Sequence, residues 1–198
     1  NAKSEETKGY IADVLTNEAL VQIERRRSQP WLCYLAYNTP HSPWQVPDKY
    51  WDQYGGLGLS DETRCAYAMC ANLDDNIGRI LARLEELELA KDTIVVFLDD
   101  NGPNGMRYNA GLRGKKGQLY EGGVRSPLLI RWPGKLQPRV VSDLSAHIDV
   151  LPTLCELTSV PTPKGRRLDG RSLVPLMKGN RGDSDRMLFI QHNVRRPP

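Results

Sequence analysis

The chain has 198 residues, 39% of them hydrophobic and 26% charged, enough to bury a core and the right size for one domain or a large part of one. Lys and Arg total 27 against 24 Asp and Glu, a formal charge of +3, and the one basic block, Arg25 to Arg27, closes a predicted helix where cations suit the negative end of the dipole, so nucleic-acid binding is not implied. No apolar run is long enough to span a membrane, residues 1–10 lack an apolar signal core, and Cys33, Cys65, Cys70 and Cys155 are too dispersed for a zinc knuckle or a disulfide framework.

In chain order, Thr16 is placed to cap a helix over residues 17–27 with Ala19, Leu20 and Ile23 on one face, and Pro30 stops it. The apolar run "WLCYLAY", residues 31–37, reads as a strand buried on both faces. A long Pro-, Gly- and Trp-containing loop follows to Gly58. Ser60, with Asp61 and Glu62, opens the strongest predicted helix, where Cys65, Met69, Leu73, Ile77, Ile80, Leu81 and Leu84 form an apolar stripe. "TIVVFL", residues 93–98, is β-branched and reads as a central strand. Beyond it come a Gly- and Arg-rich connection, a "YEGG" turn, a strand at "PLLIRW" (residues 127–132), a helix at "HIDVLPTLCELT" and a surface segment of loop and short helix. This alternation of helix and strand predicts a layered α/β domain.

The tetrapeptide "LDDN" occurs twice. Asp74 and Asp75 fall inside the long helix and read as a polar or helix-packing feature. Asp99, Asp100 and Asn101 follow a strand, and in open α/β sheets sites form beyond the carboxyl ends of strands. Asp100 and Asn101 offer hard oxygen donors suited to calcium or magnesium, although two are too few for a full shell and Asp-Asn-Gly is also an ordinary turn. "GLRGKKGQLYEGGVR", residues 111–125, gathers cations and glycines as an anion site requires; spacing alone equally allows a solvated basic loop. It is not a Walker loop, since the Gly-Lys-Ser/Thr step is missing. His41, in "NTPHSPW", stands beyond the first predicted strand, where a histidine can donate to an ester oxygen near neutral pH. His147 and His192 read as structural or peripheral.

Together these stretches resemble the sulfatase family of the alkaline phosphatase superfamily. The resemblance runs from Leu15 to Phe189 through "YNTPHSPWQVPDKYWDQY", "NLDDNIGRILARLEEL", "TIVVFLDDNGPNG", "GLRGKKGQLYEGGVRSPLLIRWPGK", "HIDVLPTL" and "LDGRSLVPLMKG", in the family's order. It implies an alkaline-phosphatase-like layered sandwich with a mostly parallel central sheet flanked by helices, incomplete in this chain. It also implies hydrolysis of sulfate esters, of a sugar or another alcohol, at a divalent cation, normally calcium, by a formylglycine nucleophile. On that reading Asp100 and Asn101 are metal ligands, Lys116 holds a sulfate oxygen, His41 contacts the sulfate and assists the leaving oxygen, and Asn109 and Arg113 are further substrate-binding candidates. A periplasmic, secreted or lysosomal location goes with the family.

Two departures from the family pattern bear on this reading. Asp99 stands where the family usually has a small residue; it could enlarge the metal shell or, by the alternation of a strand, point away from it, and the second is favoured. No Cys or Ser begins the modification motif C/S-x-P/A-x-R, and the family's early Asp-Asp ligands are absent. The chain is therefore expected to be a single partial catalytic domain, without its nucleophile segment or its small C-terminal subdomain. The rival readings are a phosphoester or phosphonate hydrolase of the same superfamily and a non-catalytic binding protein derived from the fold.

Overall fold

The computed structural model describes residues 6–191, so His192 lies outside the described residues. The chain divides into two compact units, Asn1–Ile94 and Val95–Pro198.

The first unit is built on α1 (Ile11–Arg26), the one-turn α2 (Asp48–Trp51) and the long α3 (Asp61–Glu86), with α1 and α2 each packed against α3. Helix α1 begins earlier than the sequence predicts, with Tyr10 in extended conformation at its N-cap. Thr16 is not a cap. It is buried mid-helix, donates to the Ala12 carbonyl at 2.8 Å and shares a 2.6 Å hydrogen bond with the Tyr37 hydroxyl. A threonine bonded back onto the preceding turn fits inside a helix, and Ala12, Thr16, Ala19 and Ile23 form one buried face at spacings of four and three.

Helix α3 starts where predicted, with the Ser60 side chain accepting from the Thr63 N–H at 3.3 Å. Its buried face includes Cys65, Met69, Leu73 and Leu84 and also two asparagines, Asn72 and Asn76. Both donate to Asp13 Oδ1 of α1, at 2.9 and 2.7 Å. Arg79 joins Asn76 Oδ1 to Asn17 Oδ1, and Arg83 pairs with Glu24 at 3.0 Å. The first "LDDN" is thus a helix-packing device: Asn76 is buried between helices, Asp75 accepts from the Tyr50 hydroxyl at 2.8 Å, and Asp74 faces solvent.

The strand predicted at residues 31–37 is not present. The segment is irregular, and Leu32 and Tyr34 are 85% and 88% exposed. A strand exists only as a member of a ladder, and among the described residues no segment pairs with this one.

In the second unit β1 (Val95–Leu98) pairs with β2 (Leu128–Arg131), Val95 opposite Arg131 and Leu98 opposite Leu128. Both strands lie where the sequence predicts them. The pair is antiparallel, a partial sheet consistent with the incomplete α/β domain the resemblance implies. The connection between the two strands is irregular except for the one-turn helix α4 (Glu121–Val124), which replaces the predicted "YEGG" turn. After β2 a 3-10 turn at His147–Asp149 leads into α5 (Val150–Thr158), and α6 (Val174–Met177) follows.

The α5–α6 region is organised by Asp149, which is fully buried. Arg186 holds it with two bonds, of 2.8 and 2.7 Å, while the N–H groups of Ala146 and Arg171 donate to the same carboxylate at 2.8 and 2.9 Å. Thr153 bridges the Asp149 carbonyl to the Leu173 N–H. Gly170 sits against the Ile148 carbonyl so closely that a Cβ there would lie 1.9 Å from its oxygen. Among the described residues no helix is long and apolar enough to cross a membrane.

Candidate functional site

Strand β1 delivers the chain to Asp99, Asp100, Asn101, Gly102 and Pro103. Three backbone bonds fix this turn to the loop that returns to β2. Asp99 N–H donates to the Pro127 carbonyl at 3.4 Å, Gly102 N–H to the Gly123 carbonyl at 3.0 Å, and Lys116 N–H to the Pro103 carbonyl at 2.9 Å. The segment carrying Lys116 is therefore bound directly to the turn carrying Asp100 and Asn101.

Glycine makes this approach possible. A Cβ on Gly102 would lie 1.9 Å from the Gly122 carbonyl oxygen, and one on Gly122 would lie 2.4 Å from that of Gly114. Neither site admits any side chain without backbone movement. The "EGG" of the loop thus has a local reason, close packing of backbone on backbone, which composition alone does not disclose.

The remaining candidates of this unit brace the loop. Asn109 donates through its amide to the carbonyls of Leu112 and Gly114, at 2.6 and 3.0 Å. The guanidinium of Arg113 stacks 3.8 Å from the centre of the Tyr120 ring and donates to its hydroxyl at 2.8 Å. Lys116 is exposed. His41 belongs to the first unit. It is exposed, and its Nδ1 lies 2.9 Å from the Ser42 carbonyl. A carbonyl only accepts, so this contact suits the tautomer with the proton on Nδ1, although the Ser42 hydroxyl also lies 3.3 Å from the same nitrogen.

Asp99 and Asp100 occupy different surroundings, the first half-buried and the second exposed. Burial, and then the neighbouring Asp100 charge, push the Asp99 carboxyl above its ordinary range. The Asp99 carbonyl oxygen accepts from Ser126 Oγ at 2.9 Å and from His147 Nε2 at 2.7 Å. Neither residue is singled out by sequence reasoning. Ser126 and His147 both lie in stretches that carry the family resemblance, but a bond from either to the Asp99 backbone oxygen has no local signature.

The donor set suits a hard cation. A carboxylate and an amide oxygen, Asp100 and Asn101, follow closely on a strand, and Asp100 is exposed. Among the described residues no group of three or more His, Cys, Asp and Glu gathers as a metal cluster. An open cleft in the first unit, lined by Trp44, Val46, Trp51, Asp61, Glu62 and Cys65, holds none of the candidates.

A family model described as Sulfatase matches residues 1–160. An uncharacterized sulfatase of Escherichia coli, YdeN, is 36% identical over 179 residues, 86% of this chain and 31% of that protein. Mouse steryl-sulfatase is also 36% identical, over 197 residues, 93% of this chain and 30% of that protein. The crystal structure of Ps i-CgsB in complex with k-i-k-neocarrahexaose matches with a TM-score of 0.84 at 28% identity, covering 91% of this chain and 41% of that one. The chain thus spans under a third of the length of these two relatives.

Proposed function

The chain belongs to the sulfatase family, and from that premise we propose that it forms the cation- and sulfate-holding part of a sulfuric ester hydrolase with the alkaline-phosphatase-like α/β fold. The observation that carries the reading is the Lys116 N–H bond to the Pro103 carbonyl, which ties a cationic loop to the Asp100–Asn101 turn. Asp100 and Asn101 would hold a divalent cation, calcium or magnesium by their chemistry and calcium by the family resemblance; when bound, such an ion would draw charge from the sulfate oxygens and orient the ester. Lys116 binds a sulfate oxygen as a point charge, its backbone N–H held by the Pro103 carbonyl. His41, with Nδ1–H bound to Ser42, donates from Nε2 to the leaving oxygen when protonated. Asn109 and Arg113 act through the loop they brace. The nucleophile, formylglycine in this reading, is supplied from outside these 198 residues.

A sulfated carbohydrate is the proposed substrate class. Support comes from the sugar-bound Ps i-CgsB structure, to which this chain is similar. The test is hydrolysis of a chromogenic sulfate ester by the full-length protein, before and after chelation. Activity should vanish with chelator and return with calcium, Asp100→Ala should abolish it, and Asp75→Ala should leave turnover of the folded protein intact. Faster cleavage of a phosphonate monoester than of the sulfate ester would replace this reading with that of a phosphonate hydrolase.

A further inference from the structure

We propose that His147 is a positioning residue for the Asp100–Asn101 pair, acting through the Asp99 carbonyl; this rests on the reading of that pair as cation donors. A carbonyl oxygen has two lone pairs. Here both accept from side chains, His147 Nε2 at 2.7 Å and Ser126 Oγ at 2.9 Å. The peptide linking Asp99 to Asp100 is therefore clamped from two segments, one leading into β2 and one leading into α5. With Asp99 N–H on Pro127 and Gly102 N–H on Gly123, the backbone that carries the two donors is held on both sides.

His147 is itself held. It lies between Ala146, whose N–H donates to Asp149 Oδ2 at 2.8 Å, and Asp149, which Arg186 grips from the other side. The buried Asp149–Arg186 pair thus fixes the turn that presents the imidazole. One hydrogen bond from an exposed side chain contributes little to folding. It contributes more to a site whose donors must stay within about half an ångström of their working positions. Removing an outer partner of this kind typically weakens metal binding about tenfold to a hundredfold.

The test is calorimetric titration of the metal-stripped full-length protein with calcium chloride, together with amide exchange at Gly102 in the metal-free state and urea unfolding. His147→Ala should bind calcium at least about tenfold more weakly, exchange Gly102 faster and keep the wild-type urea midpoint. His147→Gln, which restores an N–H donor, should recover most of the affinity. Ser126→Ala removes the second donor and should shift affinity in the same direction; it carries the test if His147→Ala does not fold. Wild-type affinity in His147→Ala and Ser126→Ala, alongside loss of binding in Asp100→Ala, overturns the positioning role and leaves the cation pair standing. Normal binding in Asp100→Ala overturns the cation pair and the positioning role with it. A loss in His147→Ala that Gln does not restore, with a lowered urea midpoint, assigns His147 to folding alone and also overturns the proposal.

Discussion

Lys115 and Lys116 are adjacent, yet their surroundings separate them. Lys115 is half-buried, with its N–H on Gln118 Oε1 at 3.2 Å, whereas Lys116 is exposed and its N–H is held by the Pro103 carbonyl beside the candidate donors. Losing a charge that faces the developing anion is expected to slow turnover roughly a hundredfold or more, and losing one that faces away is not. Full-length Lys116→Ala should therefore lose at least about a hundredfold in kcat/KM for a sulfate ester while Lys115→Ala stays near wild type; equal effects would place the anion elsewhere. At this scale the sequence was readable where local context decides. The two "LDDN" copies are told apart by what precedes them, a helical stripe or a β-branched run. The bonds of Asn72 and Asn76 to Asp13 were not readable, because they join helices far apart in sequence and only the packed interface defines them.

At the scale of elements, the motif "HIDVLPTL" followed by "LDGRSL" is recognisable in sequence without its reason being visible. The structure gives the reason: one buried carboxylate takes two backbone N–H groups and both arms of Arg186, whose side chain is 7% exposed. Burial by itself would raise the Asp149 pKa, but the bonds from Arg186, Arg171 and Ala146 outweigh it and hold the carboxyl below its ordinary range. A carboxyl depressed in the folded state contributes stability above its unfolded pKa of about 3.9, and loses that contribution as pH falls through the lower folded value. Urea midpoints of wild type and Asp149→Asn should accordingly differ at pH 7 and converge below about pH 4. Arg186→Ala leaves the charge buried without its partner and should cost about 3–5 kcal/mol at neutral pH. A gap between wild type and Asp149→Asn that persists into acid would show that the carboxylate's charge is not what stabilises this region.

At the scale of the whole molecule, local pattern located both strands of the ladder and the long helix but misjudged residues 31–37. The run has strand composition, but composition does not supply a partner, and the segment stays irregular with Leu32 and Tyr34 in solvent. The ladder itself has two strands among the described residues, and a two-stranded ladder is marginal in water and presents unpaired edges. The chemistry is equally incomplete. Calcium takes about six to eight oxygens, of which Asp100 and Asn101 would, on the proposed reading, supply two side chains, and no Cys or Ser in the sequence opens the motif from which formylglycine is made. Lys116 would then hold an ester that nothing attacks. Expressed by itself, the 198-residue chain is expected to bind calcium weakly, to associate with rising concentration in sedimentation experiments, and to show no turnover of a chromogenic sulfate ester. Calcium-dependent hydrolysis by a soluble monomer of this chain would require a nucleophile among the residues described and would reverse the assignment of that role to a segment outside them.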